Sequence, residues 1–202
     1  HLKSDTKPEL WAKLAMQCDG NDRWYLEALG IGAGNDWDAC LDAFLKESKS
    51  VRIPQGPFSI EAQTHITGWL DVIWRSRAKI TPGYLGTLLN TQNRFVDEKI
   101  PRYLRAFDFL PESKEKDDAL VQLAFATSGD EQKVALVSAE ALSRLKGFDV
   151  SKNEQQKAAL NRVLDSLKGQ PQFLTLVEKF NVTDRYPDLL ALAQAKPDDQ
   201  IG

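Results

Sequence analysis

Apolar residues recur along this chain at the spacing i, i+3, i+4, i+7, between capping residues and helix breakers. Ser151 and Glu154 form an S-x-x-E capping box, which satisfies free backbone amides at a helix start. Gly169 and Pro171 stop the pattern that follows. The spacing therefore predicts an amphipathic helix from Ser151 to Leu167. Its apolar stripe consists of Leu160, Val163, Leu164 and Leu167.

The same spacing predicts helices along most of the chain. Ser128 and Glu131 form a second capping box, and Thr81 followed by Pro82 marks another helix start. Strand signals are scarce, because there is no sustained apolar–polar alternation and no hairpin turn between β-branched runs. The further stripes are Ile66, Trp69 or Leu70, Ile73 and Trp74; Val134, Val137, Ala141, Leu142 and Leu145; Phe173, Leu176, Val177 and Phe180; and Tyr186, Leu189, Leu190 and Ala193.

This succession predicts an all-α protein. About ten short helices joined by turns favour a HEAT-like or armadillo-like α-solenoid of antiparallel helix pairs. The helix pairs of the second half repeat at roughly 35–45 residues, the range of such repeats. No strict repeat consensus is present, and an irregular helical bundle gives the same local patterns. We expect residues 1–202 to form a single helical-repeat domain.

The stretch G-I-G-A-G at residues 30–34 resembles a dinucleotide-binding fingerprint, but it fails the spacing. The third glycine of G-x-G-x-x-G would stand at position 35, which is Asn35. Helical spacing precedes the glycines, so we expect Gly30, Gly32 and Gly34 to end one helix. Asn35 or Asp36 then caps the next helix, whose inward residues are Trp37, Cys40, Leu41 and Phe44.

Composition excludes several partners. The net charge is −3 and neither half of the chain is basic, so we expect no nucleic acid. No apolar run reaches the roughly 20 residues that span a bilayer, so we expect no direct membrane insertion. The chain begins at His1 rather than Met, and we interpret it as a piece of a larger multidomain protein.

The residues able to carry chemistry do not form a catalytic, cofactor or metal motif. Cys18 and Cys40 are far apart, with no histidine close to either, so we expect buried thiols or a disulfide. His65 is the only histidine besides His1 and has no evident acid–base partner. We therefore assign no catalytic, cofactor-binding or metal-binding residue and no cofactor to this chain.

Aromatic and arginine residues form the most informative set. One interpretation is that Trp69 and Trp74 fill the interhelical core, while arginines pair with Asp19, Asp22 or Asp71. Another is a protein-contact surface, because Trp, Tyr and Arg are enriched in binding hot spots. A ligand pocket is the third. The candidate interaction surface consists of Trp24, Tyr25, Trp69, Trp74, Arg75, Arg77, Arg102, Tyr103 and Arg105.

Four segments together resemble one bacterial family, the membrane-bound dehydrogenase-like or PVC-type haem-binding proteins, in its helical HEAT-like region. The resemblance covers roughly Glu9 to Gly202. It is carried by the segments "DGNDRWYLEALGIGAG", "DVIWRSRA", "RYLRAFDFLP" and "KFNVTDRYPDLLALAQAKPDDQIG".

The resemblance implies an exported protein, periplasmic or otherwise extracytoplasmic, with a β-propeller like that of sugar dehydrogenases, this helical region, and a cytochrome c-like domain. The C-x-x-C-H motif that attaches haem is absent here, so haem c is expected in a separate domain of the parent. The implied function is a non-catalytic scaffold that contacts neighbouring domains of the same polypeptide or another protein, at the Trp/Arg helices and the C-terminal face. The alternative is a carbohydrate-binding or catalytic helical domain that uses tryptophan stacking and carboxylates.

Overall fold

The computed structural model describes residues 6–50, 60–91, 94–126, 129–146, 149–150 and 153–195, without the side chains of residues 50, 60–65, 94, 95 and 195. Within these ranges there is no strand, and the all-α prediction is confirmed. The helices are α1 Lys7–Ala15, α2 Arg23–Ala33, α3 Trp37–Ser50, α4 Ile60–Arg75, α5 Thr81–Asn90, α6 Arg94–Asp97, α7 Ile100–Phe109, α8 Lys114–Ala124, α9 Glu131–Arg144, α10 Glu154–Ser166, α11 Pro171–Lys179 and α12 Tyr186–Ala195, with a 3-10 turn at Thr183–Arg185 before α12.

The chain divides into two compact units. The first comprises residues 1–88 and 101–116, and the second comprises residues 89–100 and 117–202. That residues 1–202 form a single domain stays a prediction. Among the described helices, none is both long and apolar enough to cross a lipid bilayer.

In the first unit, α1 and α2 form an antiparallel pair. Lys7, at the start of α1, donates from Nζ to the carbonyl oxygen of Ala33 at the end of α2 (3.0 Å). At the other end of the pair, the Tyr25 hydroxyl donates to the Leu14 carbonyl (2.8 Å). Aromatic rings from three helices pack edge to face in this unit, with ring centroids 5.7–6.4 Å apart. Trp11 of α1 contacts Trp37 and Phe44 of α3, and Phe44 also contacts Trp69 of α4.

The glycine stretch at residues 30–34 is a helix end and turn, but α2 extends further than the sequence predicted. Only Gly34 ends the helix, at a φ of 56°. Gly30 and Gly32 lie inside α2, so the prediction that they end it was wrong. Packing accounts for Gly30, because a Cβ there would lie 2.6 Å from Arg75 Nη2. A Cβ on Gly32 would be in ordinary contact with the Trp11 ring at 3.6 Å, and nothing in the structure explains this glycine. The predicted inward residues of α3 are buried: Trp37, Cys40, Leu41 and Phe44.

Two helices of the second unit begin later than predicted. The N-cap of α10 is Asn153, whose side chain accepts from the amides of Gln155 and Gln156, so Ser151 does not cap this helix. Asp130 caps α9 in place of Ser128 by accepting from the Lys133 amide. Asn and Asp cap as well as Ser, and here they stand immediately before the helix. Ser128 and Ser151 themselves lie outside the described residues.

The predicted stripes of α9, α10 and α11 form the core of the second unit. Ser138 Oγ of α9 donates to the Leu123 carbonyl of α8 (3.2 Å), which joins these two helices. Phe180, at the end of the α11 stripe, is half-buried. The buried members of the stripes are Val137, Ala141, Leu142, Leu145, Leu160, Val163, Leu164, Leu167, Phe173, Leu176 and Val177.

Helix α4 meets the turn between α1 and α2 backbone to backbone at Gly68. A Cβ on Gly68 would lie 1.9 Å from the Cys18 carbonyl oxygen, a distance that no rotamer change can relieve. On the turn, Gly20 adopts a φ of 78° and lies against Gly68. The position of α4 therefore requires glycine at residue 68.

We expect Gly68→Ala to lower the free energy of unfolding by about 3 kcal/mol, because the backbones must separate. Gly83→Ala is the matched control, since its added Cβ meets nothing within 4 Å on helix α5. That substitution should raise stability by about 0.5–1 kcal/mol. Urea unfolding followed by circular dichroism measures both, and equal effects of the two substitutions would contradict the close contact.

Candidate functional site

The nine residues of the predicted interaction surface all belong to the first unit, but their exposure differs. Trp24 is 78% exposed and Arg105 is exposed, whereas Tyr103 is fully buried. Tyr103 therefore contributes to the core rather than to a surface. The half-buried members are Tyr25, Trp69, Trp74, Arg75, Arg77 and Arg102.

Both tryptophans of α4 are held in place by hydrogen bonds to neighbouring backbone. Trp69 Nε1 donates to the Met16 carbonyl at the end of α1 (3.1 Å). Trp74 Nε1 donates to the Arg102 carbonyl of α7 (2.9 Å). Buried indoles normally find such a partner, and these two link α4 to helices on either side.

Arg102 joins α7 to α4 through its guanidinium. The guanidinium carbon lies 3.9 Å from the centroid of the Trp74 ring, and Nη1 donates to Asp71 Oδ2 at 3.1 Å. Asp71 is only 1% exposed, so this ion pair has one buried and one partly exposed member. Asp71 was one of the three carboxylates expected to pair with arginine. Of the other two, Asp19 accepts from Asn21, and Asp22 caps α2.

The arginines at the end of α4 also have structural partners. Arg75 donates from Nε and Nη2 to Glu27 Oε2 of α2, at 3.1 and 3.0 Å. Arg77 Nη1 lies 2.8–3.5 Å from the carbonyl oxygens of Trp74, Arg75 and Ser76, and so neutralises the carbonyl end of the α4 dipole. Burial, followed by the charge of Arg75, lowers the pKa of Arg77.

Three buried groups that can ionise lie near or within this unit's core. Cys18 and Cys40 are both free thiols, and burial is the main cause that raises the pKa of each. The hydroxyl of Tyr103 has no hydrogen-bond partner among the described residues, and burial raises its pKa strongly, with Asp71 adding to the effect. All three groups are therefore held neutral, which disfavours thiolate or phenolate chemistry.

Sequence reasoning missed exposed apolar residues on the same two helices, α1 and α2, that carry Trp24 and its neighbours. On α1, Leu10 and Leu14 stand one turn apart and are 58% and 49% exposed. On α2, Ile31 stands two turns after Trp24 and is 72% exposed. We call these four residues the outer α1–α2 face. The buried residues of α1 are Trp11, Ala12 and Ala15. Leu10 and Leu14 lie outside this buried set, and their spacing of four residues is the sequence feature that could have indicated a second apolar face.

Helix α12 presents a second set of unburied apolar residues. No residue from Tyr186 to Gln194 is buried, although the sequence predicted an inward stripe here. Tyr186 and Leu190 are 49% and 61% exposed. Polar contacts just before the helix attach it instead, since Arg185 donates to Asn161 Oδ1 and pairs with Asp165.

Two grooves among the described residues have no tryptophan in their lining. In the second unit, α8, α9 and α10 enclose a groove of about 400 Å³ with an apolar floor. In the first unit, a groove of about 490 Å³ between α1 and α3 has a mixed-charge rim that includes Glu9, Lys13 and Asp42. Within the described ranges, no group of His, Cys, Asp and Glu residues could hold a metal ion. The side chain of His65 lies outside those ranges.

Comparisons of the chain with protein-family models, curated proteins and solved structures gave no significant match.

We expect Arg102→Gln to lower the free energy of unfolding by about 2 kcal/mol, because it leaves the buried Asp71 carboxylate without its guanidinium. The figure is below that of a fully buried pair, since Arg102 is partly exposed. Arg105→Gln, on the same helix, should change stability by less than about 0.5 kcal/mol. Chemical denaturation of both variants checks this, and a neutral Arg102→Gln would contradict a structural role.

Stability should fall as the solution becomes alkaline. The pKa values of Cys18 and Cys40 are raised in the folded chain, so the unfolded chain releases these protons first, from about pH 8.5 upwards. Urea unfolding at pH 8 and pH 10 should show a smaller loss for the Cys18→Ala, Cys40→Ala double variant than for the unaltered chain. An identical loss in both proteins would show that the thiols ionise alike when folded and unfolded.

Proposed function

We propose that this chain is a non-catalytic helical-repeat scaffold, an interaction module of an exported, dehydrogenase-like and haem-containing multidomain protein. The outer α1–α2 face is the single observation that carries the interaction role. Four large apolar side chains, including a tryptophan, are 49–78% exposed there. Clustered apolar residues on a surface are typical of protein contacts, and tryptophan is the residue most enriched in hot spots.

Contacts between helices two positions apart support an α-solenoid. Arg75 of α4 bonds to Glu27 of α2, and Lys179 of α11 donates to the Ser143 carbonyl of α9. The aromatic rings of Trp11 and Phe44 likewise join α1 to α3. In stacked helix pairs each helix packs against its counterpart in the next pair, which produces such contacts. An irregular helical bundle is the alternative arrangement of the same helices.

The structural use of the Trp/Arg set directs the proposed contact to the outer face. Trp69, Trp74, Arg75 and Arg102 already bind other residues of the first unit. The side chains of Trp24 and Ile31 are 78% and 72% exposed and can bury area against another domain. The unburied residues of α12 offer a second contact surface of the same kind.

The four resembling segments alone support the family and its periplasmic setting. Determining the sequence on both sides of this chain in the intact gene tests that part. We expect a β-propeller on one side and a C-x-x-C-H cytochrome domain on the other, with haem c bound there. A gene that encodes neither would overturn the family assignment and leave the interaction role to be judged separately.

The interaction role is tested with two exposed leucines. Leu10→Ser removes a residue of the outer α1–α2 face, and Leu136→Ser removes a comparably exposed leucine from α9. We expect Leu10→Ser to weaken binding of this chain to its neighbouring domains about tenfold, a loss of about 1.4 kcal/mol. Isothermal titration measures this, with Leu136→Ser expected to bind as the unaltered chain does. Equal binding by both variants would contradict the proposed surface.

A further inference from the structure

The groove of the second unit is built by matching faces of two helices. Helix α9 lines it with residues at i, i+3, i+4 and i+7, and α10 does the same. Several of these side chains are too short to fill the space between the helices, which leaves the cavity of about 400 Å³. The lining residues are Ala124 from α8, Ala126 and Gly129 from between α8 and α9, Glu131, Val134, Ala135 and Ser138 from α9, and Ala159, Arg162, Val163 and Ser166 from α10.

The floor of this groove is apolar and its polar atoms are already satisfied. Ala124, Ala159 and Val163 are buried. Ser138 Oγ donates to the Leu123 carbonyl, and Ser166 Oγ donates to the Val163 carbonyl. The floor therefore offers apolar contact without competing hydrogen bonds. Its volume lies within the range of roughly 300–1,000 Å³ that small-ligand sites occupy.

Two opposite charges stand on the rim. Glu131 lines the groove from the first turn of α9, and Arg162 lines it from the middle of α10. Each is exposed, and neither forms an ion pair within the described residues. This contrasts with Arg144, Lys133 and Arg185 of the same unit, which all pair with carboxylates. The rim thus carries one uncommitted anion and one uncommitted cation beside an apolar floor.

We propose that this groove binds a short apolar peptide with free termini. The peptide ammonium pairs with Glu131, its carboxylate pairs with Arg162, and its small aliphatic side chains lie on the alanine and valine floor. A fatty acid fits less well, because Glu131 has no partner in it and repels its carboxylate. Guanidinium–carboxylate pairing is geometrically specific, which gives the site a preferred direction for the bound chain. This binding activity is separate from the interaction role proposed for the first unit.

The test uses the full chain and the tripeptide Ala-Val-Leu in three forms, with both termini free, with the amino terminus acetylated, or with the carboxyl terminus amidated. Each cap removes one exposed charge pair, so we expect each to weaken binding up to about fivefold, measured by isothermal titration at low salt. In the Arg162→Gln variant, the amide cap should no longer weaken binding, while the acetyl cap still does. In the Glu131→Gln variant, the acetyl cap should no longer weaken binding, while the amide cap still does. Arg105→Gln should leave all three affinities unchanged.

A variant that fills the groove tests the apolar contact independently of the two charge pairs. Ala135→Leu adds apolar volume at a half-buried floor position and should abolish binding of all three peptides while thermal unfolding stays cooperative. Three results would overturn the proposal: no binding of the uncapped peptide, equal binding of all three forms, or unchanged binding by a folded Ala135→Leu protein. If Ala135→Leu does not fold, the cap dependence of the two rim variants still decides the outcome.

Discussion

The contact between α4 and the α1–α2 turn sets the geometry of the whole first unit. Gly68 allows the α4 backbone to touch the backbone of Cys18, where any side chain would collide. That approach brings Trp69 within hydrogen-bond distance of the Met16 carbonyl and Arg75 within reach of Glu27. Gly30 completes the fit, because the Arg75 guanidinium occupies the space its side chain would need. One backbone contact thus determines which partners the aromatic and arginine side chains of α4 can reach.

These contacts separate two roles that the same residue types can play. Trp74, Arg102 and Asp71 stabilise the packing of α4 and α7, and their polar atoms bind one another. Trp24 has a similar side chain but lies on the opposite side of α2 from the core, where it is 78% exposed. Enrichment in Trp and Arg is therefore informative about function only after packing has accounted for each side chain. After packing is accounted for, the outer α1–α2 face contains four of the exposed large apolar residues of the first unit, and Ile80 and Phe109 are the other two among the described residues.

Much of the fold was predictable because helix periodicity is a local property. The stripe at Leu160, Val163, Leu164 and Leu167 is buried as expected, and Gly34 forms the predicted helix end. Gly30 was misassigned because its close neighbour, Arg75, is distant in sequence. The groove between α9 and α10 was invisible for the same reason. Short side chains on one helix create a cavity only when the facing helix is known, and periodicity does not give that partner.

The outer α1–α2 face is proposed as a contact surface, whereas Trp69, Trp74, Arg75 and Arg102 serve the packing of the first unit. Hydroxyl-radical footprinting of this chain alone and of the proposed multidomain protein measures this directly, residue by residue. We expect hydroxyl radicals to oxidise Trp24 and Ile31 rapidly in the chain alone and slowly in the proposed multidomain protein, where these side chains are protected. Trp11, which is 4% exposed, should react slowly in both. If Trp24 and Ile31 react equally fast in both proteins, the outer α1–α2 face is not the surface through which this chain makes contact.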